Sequence, residues 1–154
     1  MTKTIIFGYN ENEYLGEGWN ERSLVRNSIT ARTTSKSSSL IIPINNEINE
    51  LSIIASASVD IIKKPIYGIV RVNNIKVGEF RLEDESWKLL KFELKVSSEF
   101  KVSSDKKESA EGVVSEQKEL KIDIITENAF VVNDYLKNGD MRTFGIHISC
   151  LKLK

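Results

Sequence analysis

The chain has 154 residues, and 22 Lys and Arg balance 22 Asp and Glu, so its formal charge is zero. It lacks the cation excess that releases counterions from phosphate, which argues against a nucleic-acid binder. One cysteine, Cys150, and one histidine, His147, leave no intrachain disulfide framework, no multi-cysteine metal centre and no His-pair zinc site.

The apolar residues mostly alternate with polar ones or fall in short β-branched runs, the signature of half-buried strands. Strands are predicted over 3–7, 28–34, 38–44, 51–57 and 67–72. Asn73 and Asn74 then separate 67–72 from a further strand over 75–80, and two residues that tolerate positive φ between alternating runs make a tight hairpin. Gly78 in its second arm marks a bulge or a close backbone approach. Leu90, Phe92, Leu94 and Val96 alternate with Lys91, Glu93 and Lys95, and Leu120, Ile122 and Ile124 with Lys121 and Asp123. Phe144, Ile146 and Ile148 continue the pattern until the phase slips to Leu151 and Leu153, which predicts a bulge near Cys150. The expected fold is all-β: an antiparallel two-sheet β-sandwich of jelly-roll type with about nine strands.

Three segments read as connections. Residues 8–23 form a long loop rich in Gly, Asn and Glu, whose Tyr9, Tyr14 and Trp19 argue against disorder. Residues 101–118 read as a flexible polar insertion into a single domain spanning 1–154, and 128–140 as a connection whose Ala129–Val132 start plugs one end of the sandwich. No run reaches the roughly 18–20 apolar residues of a membrane-spanning helix, and the apolar part of the N-terminus is too short for a signal peptide. The expectation is a soluble chain without direct membrane insertion, cytoplasmic as given and surface-associated if part of a longer protein.

The order of several motifs carries a resemblance. A Gly18-Trp19 loop follows the first strand, then Leu40 to Ile44 with its Ile-Pro-Ile ending. Val70-Arg71-Val72-Asn73-Asn74-Ile75-Lys76-Val77-Gly78 runs on to Ser86-Trp87-Lys88-Leu89-Leu90-Lys91-Phe92. Phe130-Val131-Val132-Asn133-Asp134 and Asp140-Met141-Arg142-Thr143-Phe144-Gly145-Ile146 precede the last strand. From about Gly18 to the end, outside the insertion, the chain resembles the jelly-roll domains that accompany bacterial glycosyltransferases and other surface-polysaccharide proteins. It looks like galactose-binding-type sandwiches and carbohydrate-binding modules. The Arg-Trp pair expected in that family is absent, since Asn27 follows Arg26 and Thr33 follows Arg32. The resemblance implies a non-catalytic module that binds an oligosaccharide or polysaccharide, with a glycosyltransferase or other protein as a further partner.

Sugar rings stack on aromatic planes through their C–H faces, and their hydroxyls pair with amides, carboxylates and guanidiniums. Candidate ligand-binding residues are therefore Tyr14, Trp19, Asn20, Glu21, Arg26, Asp140 and Arg142. Trp87, at the start of its strand, is either a second platform or a core residue. Asn10, Glu11, Asn12, Glu13 and Glu17 offer oxygens for a structural calcium, without the spacing of a known calcium loop. His147 is expected on the wet face, and Cys150 as a buried filler on the opposite face from it. No catalytic residues are assigned. The alternatives are an assembly domain without a small ligand and, third, a glycosidase using Glu79, Glu93 or Asp123, whose alternation with lysines reads as cross-strand ion pairing.

Overall fold

The computed structural model describes residues 2–25, 29–44, 47–94 and 118–154. The polar insertion and Arg26 fall outside the described residues, apart from Lys118. Strands β1 (Lys3–Ile6), β2 (Trp19–Val25), β3 (Ile29–Thr34), β5 (Glu50–Ser56), β8 (Lys88–Glu93) and β12 (His147–Leu153) form one antiparallel sheet in the order β2-β3-β12-β5-β8, with β1 also on β12. The second sheet is β4 (Ser37–Ile44), β9 (Lys118–Thr126), β6 (Ile66–Val72) and β7 (Ile75–Leu82), ordered β4-β9-β6-β7. A two-stranded β10 (Phe130–Val131) and β11 (Thr143–Phe144) joins the loop ends, and the described residues also form two short helices, α1 (Val59–Ile62) and α2 (Val132–Leu136). None of the described helices is long and apolar enough to cross a membrane.

The predicted alternation builds the core. Register sets Ile122 between Leu40 and Val72, and sets Leu120 beside Ile42, all buried on the inner face of the second sheet. Ile53 lies between Leu151 and Leu90 on the first sheet, and Leu51 between Leu153 and Phe92. Fully burying such aliphatic side chains is worth about 1.5–3 kcal/mol each, and this burial does most to hold the layers together.

The Asn73-Asn74 hairpin forms as predicted, both residues at positive φ (52° and 71°). Gly78 combines both expectations placed on it. The register slips between Val70 and Arg71 opposite it, and a Cβ there would strike the Phe92 ring. The bulge predicted near Cys150 falls between Ile148 and Cys150.

The long first loop departs from expectation. It holds a 3₁₀ turn over Asn12–Tyr14, and its end from Trp19 is the edge strand β2. A register shift between Trp19 and Arg22 breaks the alternation, so the segment carries no strand signal. The loop is laced to β4: Gly16 N–H donates to Ser39 O (2.8 Å), Ser39 N–H to Glu17 O (3.0 Å) and Ser38 Oγ to Gly18 O (2.6 Å). Gly18 sits at φ 92° with its Cα against the Ser37 carbonyl, a place a side chain could not share. Phe130 and Val132, at the start of the third connection, are buried in the core as the plug reading expects.

Candidate functional site

A cleft of about 280 Å³ opens on the outer face of the first sheet. Its floor is Thr33 of β3 and His147 of β12, which pair in register, and β2 contributes Ser23, Leu24 and Val25. Ser58 and Asp60 at the start of α1 form one wall, and Arg142 and Phe144 the other.

His147 is the fixed point. It is only 5% exposed, with Nδ1 2.7 Å from Thr33 Oγ1 and Nε2 2.9 Å from Ser58 Oγ. Phe144 meets its ring edge-on at 5.9 Å, and Phe130 meets Phe144 at 6.1 Å and Tyr135 at 5.4 Å. A line of rings thus runs from the floor to the half-exposed Tyr135. The wet-face expectation for His147 is corrected, because α1 and Phe144 cover that part of the outer face. The bulge also reverses the expected placement of Cys150. His147 pairs with Ser56 and Cys150 with Ile54, so both lie on the same face, and Cys150 is part-exposed.

Arg142 dominates the rim. Its Nε donates to Asp140 Oδ1 (2.9 Å) and Oδ2 (3.1 Å), and its Nη2 to Oδ2 at 2.5 Å. The guanidinium carbon lies 5.0 Å from the Phe144 ring centre. Hydrogen bonds from Arg142, through side chain and backbone, hold the Asp140 carboxyl at about 2. The same pairing raises the Arg142 pKa, with the nearby charge of Glu21 adding to it. The loop is closed behind them: Val132 N–H donates to Arg142 O (3.0 Å) and Asn133 N–H to Asp140 O (2.7 Å).

Of the predicted ligand residues, Asp140, Arg142 and Glu21 come together at this rim. Asn20 ties it down, its Nδ2 donating to Thr33 O (3.1 Å) and Thr143 O (3.0 Å). Its amide thereby joins β2 both to β3 and to the Arg142 segment. Trp19 turns the other way. Its ring packs on Phe7 at 5.5 Å and Nε1 donates to Ser39 O at 2.8 Å, so it serves the core. Tyr14 packs on the core too, under Lys3, whose Nζ is 5.0 Å from the ring centre. Trp87 is half-buried just before β8. Thr33, Ser58, Asp60 and Phe144 escaped sequence reading. They come from three separate segments, β3, the start of α1 and β11, and share no motif.

Three of the five residues expected to hold calcium have their side-chain oxygens already taken, and Glu13 and Glu17 are exposed. Glu11 is fully buried with its carboxylate on two arginines, and Asn10 and Asn12 turn their oxygens onto N–H donors. Hard cations need several free oxygens, and among the described residues no group of three or more His, Cys, Asp or Glu could hold a metal. The carboxylates of the glycosidase alternative are dispersed: Glu93 is on β8 of the first sheet, and Glu79 and Asp123 are on β7 and β9 of the second, with β6 between them. Their lysine partners lie along the strand, Lys76 Nζ to Glu79 at 2.6 Å and Lys121 Nζ to Asp123 at 4.0 Å, not across it.

No protein-family model matches the chain, and no curated protein matches it by sequence. Solved structures do match. The CBM36-1 domain of a multidomain xylanase from the hindgut metagenome of Trinervitermes trinervoides aligns over 100% of this chain and 97% of its own, with a TM-score of 0.54 and 7% identity. A carbohydrate-binding module CBM36 in complex with calcium and xylotriose aligns over 99% of each chain, with a TM-score of 0.51 and 8% identity. The fold is that of a carbohydrate-binding-module β-sandwich. At these identities the likeness is one of architecture, and the cleft of this chain is defined by its own residues.

Proposed function

We propose that this module is non-catalytic and binds an oligosaccharide or polysaccharide in the cleft between β2, α1 and the Arg142 segment. The observation that carries the reading is the Asp140–Arg142–Phe144 wall. A guanidinium locked by a carboxylate and backed by an aromatic ring is a rigid hydrogen-bond donor beside an apolar surface. Leu24, Val25 and Phe144 offer that surface to sugar C–H groups, and Ser23, Ser58 and Asp60 offer hydroxyl and carboxylate partners. Fold neighbours that include a xylotriose complex support the ligand class. Following the sequence resemblance, the module would serve bacterial surface-polysaccharide metabolism beside a glycosyltransferase.

Calorimetric and NMR titration with xylotriose, mannotriose, laminaritriose and cellotriose tests the reading. Saturable shifts at Ser23, Asp60 and Phe144 are expected with at least one sugar. No shift with any of them, or shifts confined to another face, would overturn it.

One observation favours assembly as a second reading. Ile6, Cys150, Ile54 and Leu89 align in register across four strands on the outer face of the first sheet, and Leu89 is 57% exposed. Sedimentation of the purified chain separates the two: a monomer that binds sugar fits the first, a silent dimer broken by Leu89→Lys the second.

A further inference from the structure

The first loop directs charge inward. Glu11 has no exposed surface, and a lone buried carboxylate is strongly disfavoured. Here both its oxygens are occupied. Oε1 accepts from Gly8 N–H at 2.9 Å and Arg22 Nη2 at 3.1 Å. Oε2 accepts from Arg22 Nε and Arg32 Nε, both at 2.8 Å. Arg32 reaches further, donating from Nη2 to Asn12 Oδ1 (2.9 Å) and from Nη1 to Asn20 O (3.0 Å). Asn10 Oδ1 accepts from Ile6 N–H at 2.7 Å. The side-chain oxygens of Asn10, Glu11 and Asn12, which a divalent cation would gather, are gathered by guanidiniums and amides.

We propose that Arg22 and Arg32 take the place of a divalent cation in this loop, and that the resulting clamp positions the cleft without any metal. The geometry is suited to both tasks. Arg22 grips the carboxylate with two N–H groups, and the planar fork of Arg32 spans Glu11, Asn12 and Asn20 at once, a directional set of bonds that a lysine could not make. Arg22 and Arg32 pair in register across β2 and β3, so their chain neighbours Ser23 and Thr33 face the opposite side, where they line the cleft. Glu11 ties the 3₁₀ turn to both strands at once and fixes their spacing. Glu11, Arg22 and Arg32 are thus positioning residues. Only their effect on the cleft rests on the proposed binding site, while metal independence stands without it.

The test uses the full chain and needs no sugar. After EDTA treatment, thermal unfolding is followed with and without millimolar calcium chloride. The melting temperature is expected to be unchanged. Glu11→Gln should lower it by roughly 10 °C, since it removes one charge of a buried set. Arg32→Lys keeps the charge but loses the fork, and should fold with displaced amide resonances at Ser23 and Thr33 and none at Tyr67. It serves alone if Glu11→Gln does not fold. A saturable, calcium-dependent rise in the native melting temperature would overturn metal independence. Unmoved Ser23 and Thr33 amides in Arg32→Lys would overturn the positioning role. Neither outcome depends on whether a sugar binds.

Discussion

Arg142 holds its guanidinium carbon 5.0 Å from the Phe144 ring centre while Asp140 grips the same group from two carboxylate oxygens. Arg142 is half-exposed and solvent screens the pair, so it adds little to stability. On the proposed function, its role is to present a fixed donor at the cleft. Arg142→Ala is expected to leave unfolding within about 1 kcal/mol of native. It should weaken binding of the responding oligosaccharide by roughly tenfold or more, or about 1.4 kcal/mol. Because Asp140 stays ionised down to about 2, this contact should not vary between neutral and mildly acidic pH. Parallel calorimetry and chemical denaturation check both halves.

Acid should expose the Glu11 clamp. Burial alone would raise its pKa, yet the hydrogen bonds from Arg22 and Arg32 outweigh that and take it from 4.5 to about 2. A carboxyl lowered in the folded state stabilises fully above its unfolded pKa and loses that contribution as pH falls through the folded one. The window is therefore from about pH 4.5 down to about 2, and the contribution is of order 3 kcal/mol. The stability gap between the native chain and Glu11→Gln should be constant near neutrality and shrink through that window. A gap independent of pH there would contradict the assignment.

His147 offers a third test. Its nitrogens engage Thr33 and Ser58 inside the fold. His147→Leu keeps the bulk but abandons two buried hydroxyls, each costing about 1–3 kcal/mol if left without a partner. Denaturant unfolding should show a loss of that order, with the cleft floor altered as well.

How far the sequence reached depends on the scale of the signal. The core rows through Ile122 and Ile53 were legible because a strand repeats every two residues, and a run such as Leu120–Ile122–Ile124 can mean little else. The Asn73-Asn74 turn and the bulge near Cys150 were legible as local breaks in that rhythm. Strand β2 was not, since its own register shift erases the alternation. The bulge was seen, but its consequence for His147 and Cys150 depends on cross-strand register. The cleft was half legible: Asp140 and Arg142 are two apart in sequence, while Thr33, Ser58 and Phe144 meet only through the topology β3-β12-β5. Trp19 misled for a physical reason. Composition marks an aromatic in a polar loop, but only packing says which way the ring turns.

That last point can be measured. Trp19 spends its ring on Phe7 and its N–H on the Ser39 carbonyl, which also accepts the Gly16 N–H at 2.8 Å. Trp19→Phe keeps an apolar ring and loses one hydrogen bond at the seam between the first loop and β4, so a cost of about 1–2 kcal/mol is expected. Trp19→Ala also removes the packed ring and should cost about 3–5 kcal/mol. Sugar affinity should be unchanged in Trp19→Phe, because the ring faces the core and the cleft wall is built from Arg142 and Phe144. An affinity loss in Trp19→Phe as large as that of Arg142→Ala would return the stacking role to Trp19 and move the site to the first loop.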